Sequence, residues 1–343
     1  MDSINLTIDG RRVATKPGST LLEAARAAGI YVPTLCFDPD LKPFGACRLC
    51  LVEVDGLPGF PASCTTPAHD GMVVRTETPR LDHLRRNVLE LVLSDHPDDC
   101  LSCRKNRRCE LQWLAAYHGL ARQRLPKLQR KTPLDDSNPF FDRDLERCIL
   151  CGRCVGACTQ IQGVGAIDFG FRSFETKIVT AMDRPLAQSI CVSCGECMAH
   201  CPVGALVPRR CEGLPTKEVS TVCPYCGCGC GIKLQVRGDR IIGVEGVPGH
   251  PASRGALCVK GRFGFTFVNH PDRLTRPLIR KGDDLVPAGW DEALDLVAAK
   301  LHEHEGAFGM LSSAKCSNEE NYAAQKFTRL VMGTNNVDHC ARR

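Results

Sequence analysis

The chain has 343 residues, 43% of them hydrophobic, enough for two or more small globular domains. Its formal charge of +5 counts the 23 cysteines as neutral thiols; bound to metal as thiolates they would lower it, which argues against a general nucleic-acid footprint. Residues 1–10 are polar with no apolar leader behind them, Arg11–Arg12 leads into Val-Ala-Thr-Lys-Pro rather than an export signal, and the most apolar stretch, Val88–Leu93, is too short to span a bilayer and contains Glu90. These features point to a reducing cytoplasm, where dense cysteine signals metal rather than disulfides.

Residues 3–15 predict a hairpin: Ile4, Leu6 and Ile8 alternate with polar neighbours, Asp9-Gly10 supplies the turn and Val13 starts the return. A short helix follows from Thr20 to about Ala28, ended by Gly29. A second helix is expected over Pro79–Ser94, capped by Thr78, with Leu81, Leu84, Val88 and Leu91 or Val92 as its apolar face. Residues 119–139 read as a linker. Arg122, Arg124, Lys127, Arg130 and Lys131 precede the first acidic residue, Asp135, a run that is either solvated or a docking surface. Further on, a helix is expected from about Asp291 to Leu301, a strand around Phe308–Leu311 and a polar helix over Asn318–Leu330.

The cysteines fall into groups. Cys36, Cys47, Cys50 and Cys64 are spaced C-x10-C-x2-C-x13-C. Four thiolates could equally hold zinc, but zinc prefers two close pairs and only Cys47 and Cys50 make one. The hairpin and helix before them favour a 2Fe–2S cluster in a β-grasp ferredoxin domain. Next, His96, Cys100, Cys103 and Cys109 form the frame H-x3-C-x2-C-x5-C. A lone histidine at a helix end is ordinarily a cap. Here three cysteines lack a fourth partner, so His96 is read as the fourth ligand, a replacement that raises cluster potential by removing negative charge.

An internal repeat carries the most specific spacing. Cys148, Cys151, Cys154 and Cys158 are echoed by Cys191, Cys194, Cys197 and Cys201, each run C-x2-C-x2-C-x3-C. In two-cluster ferredoxins of this pattern the fourth cysteine ligates the other cluster. The expected quartets are therefore Cys148, Cys151, Cys154 with Cys201, and Cys191, Cys194, Cys197 with Cys158. Pro202 follows the second run as the pattern expects, whereas Thr159 follows the first. A last group, Cys223, Cys226, Cys230 and Cys258, fits a fourth 4Fe–4S cluster, with zinc open on spacing alone. Nineteen cysteines and one histidine then serve five clusters. Cys211, Cys228, Cys316 and Cys340 are left over as free buried thiols.

The order of these groups over residues 1 to about 210 resembles the N-terminal half of complex I's large iron–sulfur subunit, and equally the small diaphorase subunit of NAD-linked hydrogenases. The segments TVCPYCGCGC (Thr221–Cys230) and GALCVKG (Gly255–Gly261) resemble the entry of molybdopterin-dependent oxidoreductases. LSSAKCSNEENY (Leu311–Tyr322) and GTNNVDHCAR (Gly333–Arg342) are similar to the catalytic subunit of cytosolic NAD-dependent formate dehydrogenase. That resemblance implies molybdenum or tungsten on two molybdopterin guanine dinucleotides, Lys260 assisting electron passage between cluster and pterin, formate as substrate, and a flavin- and NAD-binding diaphorase-type partner. In the family the next residue is the metal-binding selenocysteine or cysteine. The chain therefore reads as stopping one residue short of it, as a UGA codon taken as a stop would produce, and the 343 residues alone are expected to be inactive on formate.

The expected fold is α+β. It comprises a 2Fe–2S ferredoxin-type domain (1–78), a histidine/cysteine cluster segment (79–118), the linker (119–139), a two-cluster ferredoxin domain (140–210), a molybdopterin oxidoreductase 4Fe–4S domain (216–272) and the start of the mixed α/β catalytic domain (273–343). Alternatives are an electron-relay subunit of a hydrogenase or complex I relative, a free-standing relay protein, and a zinc scaffold.

Overall fold

The computed structural model describes residues 3–120, 124–128, 130–210 and 213–339; Arg122, Cys211 and Cys340 lie outside them. The chain divides into two units, Met1–Cys211 and Glu212–Arg343.

In the first unit β1 (Ile4–Ile8) and β2 (Arg11–Thr15) form the expected hairpin. Asp9 and Gly10 take φ of 49° and 78°, the left-handed pair that a two-residue hairpin turn requires. Helix α1 (Leu21–Ala27) opens on a capping box: the Thr20 hydroxyl accepts from the Glu23 N–H, and the Glu23 carboxylate accepts from the Thr20 N–H. With β3 (Glu53–Val54) and β4 (Val73–Arg75) the strands make a mixed sheet of order β2-β1-β4-β3, in which β1 and β4 run parallel. Leu6, Ile8, Val13, Leu21 and Leu22 fill one core that also contains Cys50 and Cys64.

Helix α2 (Pro79–Ser94) begins where Thr78 caps the Leu81 N–H. Its buried stripe differs from the expected one. Leu81, Arg85 and Leu89 face inward, Leu84 and Val88 are half-buried, and Leu91 is 61% exposed. The face is rotated because an arginine occupies a core position, a placement that hydrophobic periodicity alone assigns to the solvent side. Helix α3 (Glu110–Tyr117), not anticipated from the sequence, packs through Leu111 and Leu114.

The basic run after α3 is exposed over residues 124–128, yet three of its cations reach α2 and the residues just beyond it. The Arg124 guanidinium pairs with the buried Glu90 carboxylate at 2.7 Å, and the Lys127 ammonium donates to the carbonyls of Leu93 and His96 at 2.8 Å. Arg130 pairs with Asp95 at 2.6 Å and donates to the Cys148 carbonyl at 3.1 Å. These cations satisfy the C-terminal half of α2, where carbonyls and acidic groups attract positive charge.

Beyond it, β5 (Phe141–Arg143) leads into α4 (Arg153–Gly156), the pair β6 (Asp168–Gly170) and β7 (Lys177–Val179), α5 (Glu196–Ala199), and β8 (Leu206–Pro208), which returns antiparallel to β5. The sequence repeat is a backbone repeat. Leu150 and Ser193, each just before a second cysteine, take φ of 53° and 55°; Gly152 and Gly195 just after take 80° and 77° and start α4 and α5. Thr159 continues the helical turn Ala157–Ile161, its hydroxyl donating to the Val155 carbonyl. A proline there would interrupt that turn, whereas Pro202 precedes the extended return into β8.

In the second unit β9 (Lys217–Val222), β10 (Gly231–Arg237) and β11 (Arg240–Gly246) form an antiparallel sheet of order β11-β10-β9. A short helix α6 (Val259–Phe263), the hairpin β12 (Leu278–Lys281) and β13 (Asp284–Pro287), helix α7 (Trp290–Glu303), β14 (Met310–Ser312), helix α8 (Asn318–Leu330) and β15 (Val337–His339) follow, with β14 and β15 parallel. The Ser317–Glu320 capping box starts α8 at the expected residue. No helix among the described residues is long and apolar enough to cross a membrane.

Candidate metal centres

Cys50 and Cys64 of the first cysteine group lie in the core with residues of β1, β2 and α1. The Cys36 thiol is hydrogen-bonded to those of Cys47 and Cys64, and Cys64 to Cys50. Loop N–H groups point at the same sulfurs: Leu35 donates to Cys47 and Cys47 donates to Cys36, both at 3.4 Å. Hydrogen bonds from Cys47 and Cys64 pull the Cys36 thiol down, while the one with Cys36 pushes Cys47 up and those with Cys36 and Cys50 push Cys64 up. The loop thus favours some thiolate but not four at once, a deficit that bound iron's positive charge reverses.

His96 is buried at the end of α2, and its Nδ1 has no hydrogen-bond partner. Burial, then the nearby Arg147 and Lys127 cations, lowers its pKa to about 4. The ring is therefore a neutral imidazole with an orphaned nitrogen, the form a metal takes. Cys100, Cys103 and Cys109 act on one another electrostatically, and the Arg147 cation faces both His96 and Cys103.

The paired runs give the sharpest geometry. Cys148, Cys151, Cys154 and Cys201 line one cavity, together with Ile167, Ile178 and Val203. Cys158, Cys191, Cys194 and Cys197 line a second, with Phe141 and Leu186. The fourth cysteine of each run lines the other run's cavity. Matching N–H groups reach the first sulfur of each run: Leu150 to Cys148 and Ser193 to Cys191, both at 3.4 Å. Burial pushes Cys148 up to about 11, and burial with repulsion from neighbouring sulfurs pushes Cys154 and Cys197 well above the ordinary thiol value. Among the described residues no three His, Cys, Asp or Glu side chains converge on one ion-sized point. Four sulfurs in the wall of each cavity match the four-thiolate ligand set of an iron–sulfur cluster.

In the second unit the last group sits in the β9–β10 hairpin loop, where the Cys223 N–H donates to the Cys230 carbonyl at 2.8 Å. The 255–258 segment is brought alongside because Gly246 packs against the Gly255 backbone, where a Cβ would meet the carbonyl oxygen. Burial, then Cys258, Cys226 and Cys228, raises the Cys223 pKa, so these sulfurs face one another. Cys228 is exposed and hydrogen-bonded to Cys230, because it lies at the loop's tip; it is not the buried thiol expected. Cys316 is half-buried, and its carbonyl lies 3.4 Å from the position of a Cβ on Gly227 in this loop. Lys260 is exposed on α6, two residues beyond Cys258.

Three of the groups abut within the first unit. Asp38, two residues from Cys36, accepts from Arg153 and from His200 Nδ1, both at 2.9 Å. Those residues lie between Cys151 and Cys154 and beside Cys201. Phe44 stacks on Phe169 at 5.4 Å and Lys42 N–H donates to Gln160. On another side Arg153 pairs with Glu110, next to Cys109, at 2.8 Å. A Cβ on Gly204 would lie 2.6 Å from the Cys103 sulfur. Asp38, Glu110, His200 and Gly204 carry no spacing signal, and sequence reasoning missed them.

Family profiles match in the same order. Residues 1–79 match a 2Fe-2S iron-sulfur cluster binding domain, 85–124 the NADH-ubiquinone oxidoreductase-G iron-sulfur binding region, 147–205 a 4Fe-4S dicluster domain, 216–270 the molybdopterin oxidoreductase Fe4S4 domain and 273–343 molybdopterin oxidoreductase. The chain belongs to the iron–sulfur electron-transfer modules of the molybdopterin oxidoreductase and NADH-G family. Relatives of this module include an NADH-quinone oxidoreductase subunit of Rhizobium meliloti, 39% identical over 99% of this chain and 40% of the relative. NADPH-Fe(3+) oxidoreductase subunit alpha of Geobacter sulfurreducens is 36% identical over 99% and 40%. A Staphylococcus aureus protein provisionally named a formate dehydrogenase is 31% identical over 98% and 39%. The module thus spans about 40% of the length of these relatives. A chain of the crystal structure of a NAD+-reducing [NiFe]-hydrogenase in the H2-reduced state matches with TM-score 0.59 at 35% identity, over 63% of this chain and 91% of that one.

Proposed function

We propose that this module holds one 2Fe–2S and four 4Fe–4S clusters and carries electrons between a molybdenum or tungsten bis-pterin site and a flavin- and NAD-binding partner, in a formate dehydrogenase of the cytoplasm. The observation that carries the cluster reading is the crossing of Cys158 and Cys201 between two four-sulfur cavities. Each cluster, when bound, supplies a one-electron centre. The chain's own residues supply the rest. Cys36, Cys47, Cys50 and Cys64 would hold the 2Fe–2S cluster, and His96, Cys100, Cys103 and Cys109 the cluster beside it. Cys223, Cys226, Cys230 and Cys258 would hold the one nearest the pterin, with Lys260 on that side. Ile167, Ile178 and Val203 give the first of the paired sites an apolar wall, and Phe141, Ile167 and Leu186 give the second one. Loop N–H groups stabilise the thiolates.

Formate is favoured by the LSSAKCSNEENY and NNVDHCAR segments and by the S. aureus relative. A second reading, a relay in a complex I-like or hydrogenase assembly, is favoured by the R. meliloti and hydrogenase likenesses. Anaerobic purification should yield about 18 irons and as many acid-labile sulfides per chain. Zinc near five per chain, about one per four-ligand set, would replace the cluster reading with a scaffold. Formate-dependent NAD reduction by the corresponding full-length subunit with its diaphorase separates the substrates; hydrogen- or NADH-driven turnover with formate inert would select the second reading.

A further inference from the structure

Most buried or partly buried arginines of the first unit face a carboxylate. Arg143 pairs with Asp135, Arg147 with Asp99, Arg153 with Asp38, and Arg130 with Asp95. Arg85 does not. It is 4% exposed, and its two hydrogen bonds go to backbone carbonyls, Nε to Leu49 at 3.1 Å and Nη2 to Leu51 at 2.8 Å. Those carbonyls flank Cys50, which lies in the core beside Cys64. As a thiolate, Cys50 would be the strongest opposite charge on the guanidinium, ahead of Glu77 and Asp82. Carbonyl dipoles solvate a buried cation only in part, so a fixed positive charge here is costly without a counter-charge.

We propose that Arg85 is the built-in counter-ion of the 2Fe–2S centre, a positioning and tuning residue contributed by α2, outside the segment that matches the 2Fe-2S domain. The inference rests on the cluster reading above. Four thiolates and two sulfides outweigh two ferric ions by two negative charges, and one-electron reduction adds a third. A guanidinium bracketing the Cys50 peptide stabilises the reduced state more than the oxidised one, and so raises the potential. The same two hydrogen bonds fix α2 to the cysteine loop.

The experiment is an EPR-monitored redox titration of the purified full chain, read at temperatures where cubane signals have broadened, beside iron and labile-sulfide counts. Wild type without a reduced 2Fe–2S signal removes the cluster reading itself. With that signal present, Arg85→Gln and Arg85→Met should lower the ratio of reduced to oxidised centre at fixed ambient potential about tenfold, which is about 59 mV for a one-electron couple. Arg85→Lys, which keeps the charge but not the two-pronged bond, should stay near wild type. An unshifted potential in the neutral variants, or an equal shift in Arg85→Lys, overturns the proposal. Should neither neutral variant assemble the centre, the iron count decides: retention in Arg85→Lys shows the requirement for charge, and loss there shows that Arg85 is only a bracket.

Discussion

His96 illustrates what one residue settles. Its frame among three cysteines made it a candidate, and the structure adds a buried neutral ring with an unpartnered Nδ1. An imidazole ligand leaves one negative charge fewer than a thiolate on its cluster. His96→Cys should therefore retain full iron content but lower that centre's midpoint potential, checked by EPR titration. An unchanged potential with unchanged iron would mean that the ring is not a ligand. Arg85 was illegible for the opposite reason. Its type marks it as a surface residue, and only the position of two carbonyls far away in sequence gives it a place in the core.

Among elements, those specified locally were readable. The Asp9-Gly10 hairpin, α1 and α8 follow from turn and capping residues within a few positions of one another. Cysteine spacing is equally local, and the cysteines it groups line the same two cavities. What escaped depends on distant partners: α3, the rotation of α2, and the strapping of Arg124, Lys127 and Arg130 onto α2. The contact between the first cysteine loop and the paired runs belongs to this class. Asp38 holds both Arg153 and His200 in a buried site, so Asp38→Ala strands two cations. Glu110 and Glu196 retain part of the compensation. A loss of about 3 kcal/mol is expected, read as a lower urea midpoint for the first unit, and a shift below about 0.5 kcal/mol would show the bracket to be dispensable.

For the whole molecule, burial is uneven. Residues 3–205 enclose most of the buried apolar residues and most of the buried cysteines, whereas among the described residues of 273–339 only Thr328 and Met332 are buried. Helix α7 leaves Trp290, Leu294 and Val297 exposed. Trypsin should therefore cut first within 273–339, at sites such as Lys300 and Lys315, while 3–205 persists as a resistant fragment; simultaneous loss of both would contradict this distribution of stability. The crossed quartets also bear on how the protein is made. Cys148, Cys151 and Cys154 leave the ribosome before Cys201, the sulfur that completes their cavity, and Cys158 waits for the whole second run. With the ligation proposed here, neither site can be filled by a nascent half-domain, so loading follows synthesis of the complete repeat and the two centres are acquired or lost together.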